Sequence, residues 1–156
     1  MARVLIVGCG CRGMALARGL PDHAIRGTTR SAERLPELEG AGIDGVVADP
    51  DRLATLVPVL SEVSVVCWLM GSAAGSPDVH GVRLQTLIEH LVDTPVRGFV
   101  YEAAGPVGAT SLQGGAQIVR DASRTWRIRS EIVDADPAAH DTWLDAMKGA
   151  VERLLA

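Results

Sequence analysis

Three observations predict an α/β fold of three layers, a doubly wound parallel sheet of about six strands in the order 3-2-1-4-5-6. Segments of strand character alternate with segments of helical character along the whole chain. Two of the strand segments, Val4–Val7 and Val63–Met70, are almost purely apolar, as parallel strands covered on both faces must be. The first of them runs directly into a glycine-rich turn and then into a helical pattern. A length of 156 residues suits one domain spanning the chain.

The opening stretch carries the most information. Val4-Leu5-Ile6-Val7 is followed by Gly8-x-Gly10-x-x-Gly13 and by Met14, Ala17 and Leu20 at helical spacing. Gly8 permits a tight turn out of the strand, and Gly10 lets the backbone approach a pyrophosphate. Gly13 allows the helix to pack close to the strand. The free amides and positive dipole end of the helix then face an anion. The alternative is a glycine turn of an α/β protein that binds no nucleotide. Cys9 and Cys11 fill variable positions of the turn. With Cys67 they make three cysteines, an odd number that suits free thiols in a reducing compartment. A tetrahedral metal site needs further ligands, and none lies nearby in sequence, so no metal is expected.

Ala24–Arg30 reads as the second strand, after a turn at Pro21-Asp22. Its end decides the cofactor type. An NAD site places a carboxylate there for the ribose 2′-hydroxyl, whereas this strand ends Thr28-Thr29-Arg30-Ser31. Arginine and hydroxyl groups attract a 2′-phosphate, so NADP is expected ahead of NAD, with Thr29 and Arg30 in contact. Arg12, inside the glycine turn, and Arg34, one helical turn past Ser31, are further candidates for the same phosphate. The alternative for all three arginines is an ordinary solvated role. Ser31 is the expected N-cap of a helix over Ala32–Glu39, ended by Gly40 and Gly42.

A third strand over Asp44–Ala48 leads to Asp49-Pro50-Asp51. Asp49 is a candidate acceptor for the adenine amine, or simply a turn residue. Leu53, Leu56, Val57 and Leu60 mark a helix that Pro58 should shorten. The fourth strand, Val63–Met70, is followed by the small residues Gly71 to Pro77, which would let a nicotinamide ribose pass close to the backbone. His80–Val92 reads as a helix, with His80 and His90 exposed or capping. Val96–Ala103 is the fifth strand. Glu102 near its carboxyl end is the one catalytic candidate, or else the ion-pair partner of Arg83 or Arg97. Ser111–Arg124 is expected to be helical despite Gly114-Gly115. Trp126–Val133 alternates charged and apolar residues, as an edge strand with one wet face does. Ala138–Leu155 is a closing helix.

A net charge of −4 argues against a nucleic-acid surface, which requires a basic field. No apolar run approaches the roughly 20 residues of a membrane span, and the N-terminal apolar run ends in the glycine turn rather than in a cleavage site. The expected location is the cytoplasm.

Three stretches are similar in detail to one branch of the Rossmann proteins. Gly27-Thr28-Thr29-Arg30-Ser31-Ala32-Glu33-Arg34-Leu35, then Asp49-Pro50-Asp51, then Gly98-Phe99-Val100-Tyr101-Glu102-Ala103 resemble the atypical extended short-chain dehydrogenase/reductase family. That family includes epimerase-like proteins and NADP-binding regulators of the NmrA type. The resemblance implies that Gly8, Gly10 and Gly13 hold the pyrophosphate, with Cys11 between them. It places Arg30 at the 2′-phosphate and Asp49 at the adenine. Leu69, Met70 and Gly71 fall beside the nicotinamide ribose, and Ala103 falls at the carboxyl end of the fifth strand.

The departures bear on activity. The active enzymes carry Ser or Thr where this chain has Ala103 and Ala104, and a Tyr-x-x-x-Lys pair on the next helix. Here the single tyrosine, Tyr101, is in a strand, and the single lysine, Lys148, is in the last helix. Gln113 and Gln117 have the spacing without the chemistry. Two readings stay open. One is a dinucleotide-binding, redox-sensing module. The other is a small NADPH-dependent oxidoreductase whose site is completed by a second copy, a homodimer formed through the last helix or the wet strand. A Rossmann relic with an empty crevice is a third.

Overall fold

The computed structural model describes residues 2–71 and 76–156. Six parallel strands form one sheet in the order β3-β2-β1-β4-β5-β6. They are β1 (Arg3–Val7), β2 (Ala24–Thr29), β3 (Asp44–Val47), β4 (Val65–Trp68), β5 (Gly98–Glu102) and β6 (Arg129–Val133). The helices are α1 (Cys11–Arg18), α2 (Leu35–Gly40), α3 (Leu53–Leu56), α4 (Val82–Leu91), α5 (Ala109–Trp126) and α6 (His140–Leu155). The order reverses between β1 and β4, which opens a crevice at their carboxyl ends.

The period of two along each strand divides the core in two. Leu5, Val7, Val66, Trp68, Phe99 and Tyr101 face α4 and α5, meeting Leu84, Leu87, Ile88, Leu91, Ala116 and Val119. Val4, Ile6, Val65, Cys67 and Val100 face the other way. There they meet Leu16 and Leu20, Leu38 of α2, and Trp143, Met147, Val151 and Leu154 of α6. Full burial of Val4 through Val7 is why that run had to be apolar at every position.

Several boundaries differ from the sequence expectation, each for a local reason. The expected helix over 32–39 is a single-turn 3-10 segment, Ala32–Arg34, followed by α2. Ser31 makes no side-chain cap; its amide instead donates to Thr29 Oγ1 at 3.2 Å. Pro58 acts as expected, since α3 stops at Leu56 and a 3-10 turn covers Val57–Leu60. The helix expected over 80–92 is interrupted at Gly81, with a 3-10 turn Pro77–His80 before it and α4 after it. Helix α5 extends to Trp126, so that residue belongs to no strand, and Arg127 in the left-handed conformation turns the chain into β6. Gly115 interrupts nothing, because the helix needs a glycine there: an added Cβ would fall on the Tyr101 hydroxyl. Of the small residues after β4, positions 72–75 lie outside the described residues. Among the described residues no helix is long and apolar enough to cross a membrane.

Candidate functional site

Val7 ends β1 and Gly8 turns the chain at φ +82°, where an added Cβ would lie 2.6 Å from the Leu69 carbonyl oxygen. The turn is fastened to β2. The Gly8 amide donates to Thr28 Oγ1 at 3.1 Å, and the Cys9 amide donates to the Thr28 carbonyl at 3.0 Å. Beneath it the Cys9 side chain fills the space left by two glycines. A Cβ at Gly27 would stand 2.9 Å from Cys9 Sγ, and one at Gly13 would stand 3.1 Å from it. Burial pushes the Cys9 thiol up to about 11, so it is a neutral packing group. Cys11 is exposed. Among the described residues no group of three His, Cys, Asp or Glu side chains is placed to hold a metal ion.

Gly10 behaves differently from Gly8 and Gly13. It sits at the N-cap of α1 with φ −88°, no side chain caps the helix, and a Cβ added there would meet nothing within 4 Å. The first closed helical bond is from the Met14 amide to the Gly10 carbonyl at 2.9 Å. The first turn of α1 therefore opens onto free space with its positive dipole end.

That space is a cleft of about 440 Å³. Its floor is Gly8 to Gly13. One wall is the end of β2 with Thr28, Thr29, Arg30, Ser31 and Arg34, closed by Ala48 and Pro50; the opposite wall is Leu69 and Met70. Arg30 is exposed. Arg34 arches back over the turn, donating from Nη1 to the Cys9 carbonyl at 3.1 Å while its Nε pairs with Glu37 at 3.3 Å. Ten of the expected cofactor contacts thus share one cleft: Gly8, Gly10, Cys11, Arg12, Gly13, Thr29, Arg30, Arg34, Leu69 and Met70.

Three expected contacts are not on its wall. Asp49 is a turn residue, its Oδ1 accepting the Asp51 amide at 2.9 Å, while its neighbours Ala48 and Pro50 line the cleft. Gly71 is turned toward β5, donating its amide to Glu102 Oε1 at 3.0 Å and accepting the Val107 amide at 3.0 Å. Ala103 continues the β5–β6 ladder, its amide donating to the Val133 carbonyl at 2.8 Å.

The arginine within the turn lines the cleft but has its carboxylate partner on β5. The Arg12 guanidinium does not turn toward the end of β2. It donates from Nη1 to Glu102 Oε2 at 2.5 Å and from Nη2 to Oε1 at 3.2 Å, and it stands 5.4 Å from the centre of the Trp143 ring. Glu102 lies on β5, across β4 from the glycine turn, whereas β2 lies on the other side of β1. Glu102 is completely buried, and among the described residues it lines neither this cleft nor the hollow beside it. Among the described residues it accepts four hydrogen bonds, two from Arg12, one from the Gly71 amide and one from Trp143 Nε1, the last at 2.9 Å. A buried carboxylate requires a charged partner, and the partner is Arg12 rather than Arg83 or Arg97. Arg97 instead reaches the Leu155 carbonyl.

His80, expected to be exposed or capping, is buried. Its Nε2 donates to the Met70 carbonyl at 3.0 Å, which fixes the tautomer and leaves Nδ1 to accept the Tyr101 hydroxyl at 2.6 Å. Burial lowers the His80 pKa and raises that of Tyr101, so both are neutral. Tyr101 is far from Lys148, whose side chain lies against Gly19. A second hollow of about 670 Å³ adjoins the first and is bounded by Arg12, Ala104, Gly105, Pro106, Asp136, Pro137 and Ala138.

No protein-family model and no curated protein matches this sequence. Solved structures do. A Bacillus halodurans protein described as an NAD-dependent epimerase/dehydratase superposes with TM-score 0.71 at 18% identity, over 87% of this chain and 71% of that one. Vestitone reductase from alfalfa gives TM-score 0.67 at 15% identity, over 85% of this chain and 56% of that one. UDP-glucuronic acid 4-epimerase from Bacillus cereus, solved with NAD and a fluorinated UDP-sugar, gives 0.65 at 15%, over 83% and 55%. The likeness is one of fold. The chain spans about half the length of several of the structures it matches.

Proposed function

We propose that this chain is a dinucleotide-binding module, taking NADP(H) ahead of NAD(H), without the tyrosine-based chemistry of short-chain dehydrogenases. The observation that carries the reading is the cleft over Gly10. There an uncapped helix start and a glycine whose missing side chain leaves open space meet Thr29 at the end of β2 and the Arg30 and Ser31 that follow it. Diphosphate oxygens suit the first, because helix amides and dipole both favour an anion. A ribose 2′-phosphate suits the second, because Arg30 is an exposed cation and, among the described residues, no carboxylate lines the cleft to repel it.

Some structures of this fold, the Bacillus cereus epimerase among them, were solved with NAD, so the preference for NADP rests on the end of β2 alone. When bound, the nicotinamide group supplies or accepts hydride. The chain's residues would hold and orient it: Gly8 to Gly13 at the phosphates, Thr29 and Arg30 at the adenosine end, and Leu69 and Met70 along the opposite wall. A redox-sensing role follows if the oxidised and reduced forms bind with different affinity. Isothermal titration with NADPH and NADH tests the reading. Binding of NADPH more tightly than NADH supports it, and no binding of either at millimolar concentration overturns it.

The adjoining hollow favours a second reading, a small NADPH-dependent oxidoreductase of the atypical short-chain type. It lies past the carboxyl ends of β5 and β6, beside Arg12, where a reducible carbon would be brought against the cofactor. The loss of NADPH absorbance across a library of carbonyl compounds tests it. Turnover of any member establishes the enzyme, and none leaves the binding module.

A further inference from the structure

We propose that Glu102 is a positioning residue of the nucleotide cleft, setting its affinity for a whole dinucleotide without touching it. The inference rests on the reading above that the cleft takes such a ligand. A buried ion pair alone says little about stability, since apolar groups of the same volume often do as well. What distinguishes Glu102 is where its donors come from. Arg12 is the second residue of α1, whose start forms the cleft floor. Gly71 directly follows Met70, which forms a wall. Trp143 belongs to α6 on the outer face. One carboxylate fastens floor and wall to the same point on β5.

The geometry of each contact is specified. An added Cβ at Gly71 would lie 2.8 Å from Glu102 Oε1, so only a glycine brings its amide to the carboxylate. The Trp143 ring, 5.4 Å below the guanidinium, fixes the plane from which Arg12 donates. Glutamine at 102 keeps the shape, but its amide nitrogen would face N–H donors on every side. Floor and wall would then lose their common anchor. The adenosine end would not, because Thr29 ends β2 and Arg30 follows it directly, across β1 from this network.

The test is isothermal titration of NADPH and of adenosine 2′-monophosphate, which lacks the diphosphate, into the full chain, well below the melting temperature. Wild type is compared with Glu102→Gln and with Val151→Ala, a core change remote from the cleft that lowers Tm. In Glu102→Gln the Kd for NADPH is expected to rise about tenfold while that for the monophosphate stays within about twofold. Val151→Ala is expected to move neither. Unchanged NADPH affinity in Glu102→Gln, or equal loss of both ligands, overturns the proposal. If Glu102→Gln does not fold, Trp143→Phe replaces it, removing one donor to the carboxylate and leaving Arg12 in place. That variant is expected to fold and show a split in the same direction, and wild-type NADPH affinity in it is equally fatal. Wild type that binds neither ligand overturns the functional reading, and this inference with it.

Discussion

Replacing Gly10 by alanine separates the fold from the proposed function. Gly10 has φ −88°, which alanine adopts freely, and the new methyl would meet nothing within 4 Å. Alanine is a poorer N-cap than glycine by a few tenths of a kcal/mol to about 1, and it recovers about 0.4–1 kcal/mol by restricting the unfolded chain. The free protein should therefore keep its stability to within about 0.5 kcal/mol. The methyl would stand where the backbone must come within hydrogen-bonding distance of a diphosphate. Losing one charge-assisted hydrogen bond costs about 1.5–3 kcal/mol, a roughly 10- to 100-fold weaker complex.

The neighbouring glycines give the contrast. At Gly8, with φ +82° and the Leu69 carbonyl 2.6 Å from the new Cβ, alanine carries about 1–2 kcal/mol of left-handed strain and about 1–3 of overpacking. At Gly13, contacts of 3.1 Å to Cys9 and Ile6 should cost about 1–3 kcal/mol. Urea unfolding of the free proteins and NADPH titration of each variant supply both axes. Gly10→Ala that binds as wild type does would remove the diphosphate from this turn and refute the reasoning.

Other expectations follow from the same geometry. Arg30→Glu places a carboxylate at the end of β2, and should lower NADPH affinity by about 10- to 100-fold while leaving NADH nearly unchanged; titration of both cofactors checks it. Tyr101→Phe should cost about 1–3 kcal/mol in urea unfolding, because it leaves His80 Nδ1 buried without its donor. His80 has a pKa below the ordinary 6.5 when folded, so below that pH the unfolded chain binds the extra proton. Stability should fall as pH drops from 6.5 toward the folded value, and His80→Gln should flatten that part of a Tm–pH curve. Burial pushes Cys67 up to about 12 and Cys9 to about 11, while Cys11 is exposed. A thiol reagent should therefore modify Cys11 rapidly in the native protein and the other two only on unfolding.

The parts of this molecule legible in the sequence are those set by near neighbours. The β1–turn–α1 unit is one: within the 17 residues Val4 to Leu20 the apolar run, three glycines and a helical stripe all impose the same geometry. The strand order follows from alternation and handedness. Pro58 likewise acts on its own helix. What was not legible depends on contacts between distant residues. Glu102 and Arg12 are 90 positions apart, and no spacing rule selects Arg12 over Arg83 or Arg97. His80 is buried because Tyr101 and the Met70 carbonyl complete its hydrogen bonds, and Tyr101 fits because Gly115 leaves room on α5. Read alone, Gly114-Gly115 suggested a weak helix. Asp49 and Ser31 were ambiguous for another reason: short polar side chains bind their own backbone as readily as a ligand or a cap, and local geometry decides.

The most direct measurement is a crystal structure of this chain with NADPH. The account predicts the diphosphate on the first amides of α1 above Gly10, and the 2′-phosphate against Arg30. The Arg12–Glu102 pair should remain intact. A cleft still free of nucleotide at saturating NADPH, or a nucleotide bound elsewhere on the molecule, would contradict it.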